Sequence, residues 1–258
     1  MSWGIKLRRV AVGGLVLAGA LHVQGPAIAD NDPVTVIELF TSQSCYSCPP
    51  AEAYLGELAE DEGILVLEYH VDYWDRLNYG RYGRWKDVFS SPEMTERQRS
   101  YNAEIRNTRS VYTPQMVIDG RTEAVGSRRG EVQSRISKVR NDDSPRVAVH
   151  VAAAANGGVT VSVGDVPDTR ADVWLVTFIR EVTTKVVRGE NHGKTLTNHN
   201  IVREVRRIGE WDGKMTAIDV TDLTLEDGQS CAVLVQDGKV GPVLGAAYCP
   251  AGVGGAAS

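Results

Sequence analysis

VTVIELFTSQSCYSCPPAEAYLGELA, residues 34–59, runs from an apolar strand through a cysteine pair into a helix. Val34 to Phe40 is almost continuously apolar, as a central strand buried on both faces requires. From Ala51 to Ala59 the apolar positions Ala51, Leu55 and Leu58 recur at helical spacing. Between them lies Cys45-Tyr46-Ser47-Cys48, two thiols one turn apart that can close a disulfide. Pro49 and Pro50 cannot sit deep in a helix, so they fix its start close to the cysteines. At a helix N-terminus the first thiol is expected to face unpaired N–H groups, which stabilise its thiolate. Cys45 is therefore the expected nucleophile. Cys48, one turn deeper, is expected to resolve the mixed disulfide. This chemistry requires Cys45 to meet solvent and to be unusually acidic.

Downstream, Ile64 to Val71 (ILVLEYHV) reads as a second buried strand, and each of the two strands carries one acidic residue, Glu38 and Glu68. Ser91-Pro92-Glu93 reads as the cap and first turn of a helix. Gln115 to Ile118 and Thr122 to Val125 form an expected hairpin about the turn Asp119-Gly120, and a last helix spans about 129–140. Just before that hairpin stands Thr113-Pro114, for which a cis bond is expected, leaving a backbone edge on which an extended peptide can pair. After the turn formers 141–145 (NDDSP) the helical period stops and strand-like segments follow to Tyr248. Cys231 and Cys249 flank the Asp237-Gly238 turn almost symmetrically, which predicts a structural disulfide between them.

The chain has 258 residues, and its 42% apolar and 24% charged content is that of a folded globular protein. Lys6, Arg8 and Arg9 precede an apolar run from Val10 to Leu21, and Ala27-Ile28-Ala29 supplies a signal-peptidase site. The run is shorter than the roughly 20 residues that span a bilayer. Residues 1–29 are thus read as a cleaved signal peptide, which puts the mature chain in the periplasm or outside the cell, where cysteines form lasting disulfides. The remainder carries 25 basic against 33 acidic residues, a balance that argues against nucleic-acid binding. No second segment reads as a membrane span. The expected organisation is an α/β domain over residues 30–143, a mostly antiparallel, β-sandwich-like domain over 144–250 and a flexible tail over 251–258.

Strand, Cys-x-x-Cys, helix, then Thr-Pro before a hairpin and a final helix resembles the thioredoxin fold, here with a helical insertion between about Asp72 and Ile105. ELFTSQSCYSCPPAEAYL, HVDYWD, SPEMTERQRSYN, VYTPQMVIDG and RGENHGKTLTNHNIVR further resemble a family of exported bacterial thioredoxin-like proteins catalogued as a domain of unknown function. Ser44 stands where that pattern has glycine, and Glu52 where it has aspartate. The resemblance implies thiol–disulfide exchange at Cys45 and Cys48, with Glu38 as the buried carboxylate that moves a proton and Tyr46, Thr113 and Pro114 as substrate contacts. The implied partners are protein or small-molecule thiols and disulfides and a separate recycling partner, with no cofactor. Two other functions fit the same residues. One is copper(I) binding by Cys45, Cys48 and His70, since thiolates suit soft metals. The other is a non-enzymatic interaction module on the thioredoxin scaffold. His192 and His199 fall in a polar segment, Glu190 to Asn200, read as a hydrogen-bonded hairpin.

Overall fold

A computed structural model describes Met1 and residues 34–254; the expected signal peptide lies outside the described residues. Strand β1 (Thr35–Thr41) leads into α1 (Pro49–Leu58), and β2 (Ile64–His70) returns parallel to β1. An insertion follows, with a short 3-10 turn at Gly80–Tyr82, and then α2 (Pro92–Arg106). The expected cap is in place: Ser91 is extended and its hydroxyl accepts from the Met94 N–H, with Pro92 in the first turn. The hairpin β3 (Gln115–Ile118) and β4 (Thr122–Val125) turns on Asp119 and Gly120, both at positive φ (50° and 63°), and α3 (Arg129–Arg140) closes the unit. The spatial order β2-β1-β3-β4, with β3 antiparallel to β1, is that of a thioredoxin-like sheet.

Strand alternation divides the side chains between two layers. Ile37, Leu39, Ile64 and Val66 pack with α1 and α3, whereas Val36, Phe40, Leu65, Leu67 and Tyr69 face α2. Glu38 therefore shares a face with α2, and Glu68 and His70 share one with α1.

The second half comprises β5 (Val149–Ala153), β6 (Val159–Val163), β7 (Ala171–Lys185), β8 (Thr195–Trp211), β9 (Thr216–Val220), β10 (Gln229–Gln236) and β11 (Val243–Tyr248). Four of these strands extend the first sheet, giving eight in the order β11-β10-β7-β8-β2-β1-β3-β4, while β5-β6-β9 form a second, three-stranded sheet. Valines from both sheets, with Leu175, Trp211 and Cys231, make the apolar layer between them. The halves are thus joined by strand pairing as well as by packing. The junction is narrow: β2 and β8 run parallel and share the register pair Glu68↔Ile201.

Three features depart from the sequence reading. Strands β7 and β8 are longer than their apolar stretches, because their distal ends pair with each other (Glu181↔His199 to Lys185↔Thr195) and expose polar side chains that leave no hydrophobic signature. The short strand β9 pairs with β6 alone and turns only Ile218 and Val220 into the apolar layer, too brief an alternation to mark a strand. The expected flexible tail is packed as far as described: Val253 is buried, and Gly254 donates to Gly157 O and accepts from Leu225 N.

Cys231 and Cys249 are bonded across β10 and the end of β11, where the Cys249 N–H also donates to Cys231 O. Closing a loop of this length restricts the unfolded chain by about 3 kcal/mol. Replacing both residues with alanine should lower the unfolding free energy by about that amount, read as a shifted denaturant midpoint, and leave the Cys45–Cys48 bond intact by mass spectrometry.

Candidate functional site

The chain turns immediately after β1, with the Cys45 N–H donating to Ser42 O, and Cys48 becomes the N-cap of α1. Cys45 and Cys48 are joined in a disulfide with their Cα atoms 5.4 Å apart. Ser47 Oγ lies 3.4 Å from Cys45 Sγ. The helix does not present the free donors expected of its N-terminus. The Cys48 N–H is taken by Cys45 O, Pro49 and Pro50 have none, and the Ala51 N–H is taken by Cys48 O. The prolines that position the helix also delete the groups that would hydrogen-bond a Cys45 thiolate.

The exposure expected of Cys45 is also absent in this conformation: both cysteines have 0% relative exposure. Between them Tyr46 is 62% exposed. Its N–H donates to Glu190 Oε2 at 2.8 Å, and Lys194 Nζ lies 4.0 Å from the centre of its ring. The Thr113–Pro114 bond is cis. Continuing the Phe40↔Gln115 register by one residue sets Pro114 beside Thr41, at the end of β1 from which the cysteine loop departs. Thr113 Oγ1 accepts from Trp74 Nε1.

Glu38 does not take the place expected for a proton-moving carboxylate. It lies on the α2 face, where Arg97 Nε and Nη2 hold its two oxygens at 2.7 and 2.9 Å and the Tyr101 hydroxyl donates to Oε1 at 2.5 Å. A second carboxyl group stands nearer the cysteines in the chain. Glu52 follows Cys48 by one turn of α1, on the same helix face, and its N–H donates to Cys48 O. Its side chain is buried and Thr41 Oγ1 donates to Oε1 at 2.7 Å. Burial and the nearby negative charge of Glu68 push its pKa up to about 8, so it holds a proton at neutral pH. Glu52 also lines a groove of about 590 Å³ between α1 and β8. The sequence carries the signal for it, an acidic residue on the apolar side of a helix just after the cysteines.

His70 completes the buried polar group. Its Nδ1 is 2.7 Å from Asp87 Oδ2, and its Nε2 is 3.2 Å from Glu68 Oε1 without hydrogen-bond alignment. Burial opposes its charge, but Asp87 and Glu68 outweigh it and raise its pKa well above the usual imidazole value. Burial likewise opposes ionisation of Asp87, yet His70 and the N–H groups of Gln43 and Phe89 hold its carboxyl below the usual range. His70 is thus committed to two carboxylates. Among the described residues no group of three or more His, Cys, Asp or Glu is arranged to hold a metal ion, so the copper set Cys45, Cys48 and His70 is not assembled.

These features define a thioredoxin-like fold carrying a Cys-x-x-Cys disulfide at the start of its first helix. Residues 36–236 match the family described as "Protein of unknown function (DUF1223)", and the chain belongs to that family. The crystal structure of protein AGR_C_4864 from Agrobacterium tumefaciens is similar, with 28% identity and a TM-score of 0.70, the match covering 88% of this chain and 98% of that one. A weaker likeness, at 11% identity and a TM-score of 0.49, is to HBP35 of Porphyromonas gingivalis, over 84% of this chain and 74% of that one. No curated protein matches the chain.

Glu52 keeps its proton in the folded protein up to about pH 8, whereas a carboxyl in the unfolded chain loses it near its ordinary value of 4.5. Between those limits the native state binds more protons, so Glu52 makes the fold less stable as pH rises. Glu52→Gln, which cannot ionise, should therefore gain stability relative to the parent between pH 5 and pH 9. Melting curves of the two proteins across that range measure the gap, which should widen toward pH 8 and then level off.

Proposed function

We propose that the protein is a thiol–disulfide oxidoreductase of an oxidising, extracytoplasmic compartment. The observation that carries the reading is the Cys45–Cys48 disulfide at the start of α1, with a protonatable Glu52 one helical turn beyond it. The compartment is supported by the pairing of all four cysteines and by the export-like pattern of residues 1–29. No helix among the described residues is long and apolar enough to cross a membrane.

In the reduced protein the Cys45 thiolate attacks a substrate disulfide, forming a mixed disulfide and releasing one substrate thiolate. In the molecules whose Glu52 is ionised, a share that grows as pH rises toward 8, Cys48 then gives its proton to Glu52 and attacks Cys45 Sγ. The Cys45–Cys48 bond forms, the mixed disulfide breaks, and the second substrate sulfur leaves as a thiolate. The cycle oxidises one dithiol in the protein and reduces one disulfide in the substrate; a dithiol partner restores the reduced pair. The same steps run backwards oxidise a substrate dithiol. Glu52 acts as general base on Cys48, and Tyr46 and the strand end at Thr113-Pro114 offer the substrate contacts.

Cys48→Ser removes the resolving thiol, so partners should accumulate as mixed disulfides on Cys45, separable on non-reducing gels and identified by mass spectrometry. The further change Cys45→Ser should abolish every such species; captured partners that survive it would refute the assignment. Glu52→Gln should slow resolution by about 10²-fold, the lower end for general base catalysis, and remove the rise in rate as pH passes through 8. Single-turnover release of substrate thiol measures both.

A further inference from the structure

The sealed disulfide is covered by a distant part of the chain. Beyond Ile179, β7 is no longer paired with β10, and the β7–β8 hairpin continues alone across α1. Gly56 of α1 gives clearance there, since a Cβ at that position would lie 2.8 Å from His199 Nε2. The hairpin tip, residues 186–194, then reaches the cysteine loop. Asn191, with 0% exposure, donates from Nδ2 to both Gln43 O and Cys45 O at 2.9 Å, and its Oδ1 accepts from Lys194 Nζ. Glu190 accepts from the Tyr46 N–H. On its other side the tip grips the insertion: the Gly189 N–H donates to Tyr82 O, and His192 stacks on the Tyr82 ring at 5.2 Å. Gly189 has φ 75°, and a Cβ there would fall 2.7 Å from the Trp85 Cβ, so the approach depends on glycine.

A side-chain amide on two carbonyls and a carboxylate on an N–H reproduce the contacts that an extended peptide would make with residues 43–46. We infer that the β7–β8 hairpin tip is a lid occupying the peptide seat over Cys45, with Asn191 as its latch, so that exchange is reserved for protein substrates able to displace it. The lid rests on the oxidoreductase reading for its purpose but not for its existence. Asn191 positions and gates the cysteine loop and takes no part in the sulfur chemistry.

The test is the rate at which dithiothreitol reduces each of the two disulfides in the full chain, followed by thiol labelling and mass spectrometry. The parent protein should react slowly at Cys45–Cys48. Asn191→Ala, which removes both carbonyl contacts, and Gly189→Ala, which pushes the tip off Trp85, should each accelerate that reaction about tenfold or more, the rate equivalent of one or two hydrogen bonds. The buried Cys231–Cys249 bond is the internal reference and should react at an unchanged rate. Unaltered Cys45–Cys48 rates in both variants would overturn the lid, as would equal acceleration of both disulfides, which is general loosening. The oxidoreductase reading fails separately: an Asn191→Ala protein that opens to dithiothreitol yet, once reduced, does not re-form Cys45–Cys48 with oxidised glutathione retains a lid over an inactive pair.

Discussion

Glu68 joins the two halves of this protein. Its Oε1 accepts from the Asn198 side chain at 2.7 Å, its Oε2 from the His199 N–H at 2.9 Å, and the same carboxylate faces His70. A buried carboxylate needs such partners, since an unpaired one costs several kcal/mol. The first two contacts fasten β8 to β2 where the strands share little register, and the third couples that joint to the polar group behind the cysteines. Because β8 is held there, the hairpin it forms with β7 runs over α1 in a fixed direction and its tip arrives at Cys45. Glu68 thus takes part at once in sheet continuity, in the charge balance behind the disulfide and in the placing of its cover.

The two buried charge groups occupy opposite faces of the sheet and do different work. Glu38 and Arg97 form a closed pair whose remaining polar atoms are satisfied by Tyr101, Gln236 and the Lys239 carbonyl. The pair ties α2 to β1 and to the C-terminal half. On the α1 face, Glu68, His70 and Asp87 supply two negative charges and one positive, and the excess negative charge helps keep Glu52 protonated at neutral pH. The imbalance makes that face suited to proton transfer.

Local chemistry made much of the fold legible in the sequence. Ser91-Pro92 at a helix start, Asp119-Gly120 at a hairpin and Pro49-Pro50 at α1 are decided within a few residues, as was the bridge between Cys231 and Cys249 about its turn. The face on which Glu38 or Glu68 lies was not legible, because β1 and β2 are buried on both sides and every position is compatible with burial. With no alternation to read, the phase of the strand is set by what α1 and α2 pack against it. The lid was hidden for a second reason: Asn191 meets Gln43 and Cys45 across almost 150 residues of sequence, and a polar, glycine-containing stretch looks like any exposed loop.

The helix start and the lid bear on the same question, what sets the reactivity of Cys45. In the usual account a thiolate at a helix N-terminus is stabilised by N–H groups that the helix cannot satisfy. Here two prolines and two local hydrogen bonds remove that set, leaving the dipole and the Ser47 hydroxyl as the nearest help. Control then shifts from the acidity of one sulfur to two other variables, whether the sulfur is uncovered and whether Cys48 has a base to accept its proton. Both variables reside in groups that pack around the disulfide, Asn191 over it and Glu52 behind it. An exchange site governed by access responds to the partner that opens it more than to the thiol content of its surroundings, which is what the oxidoreductase proposed above would need in an oxidising compartment.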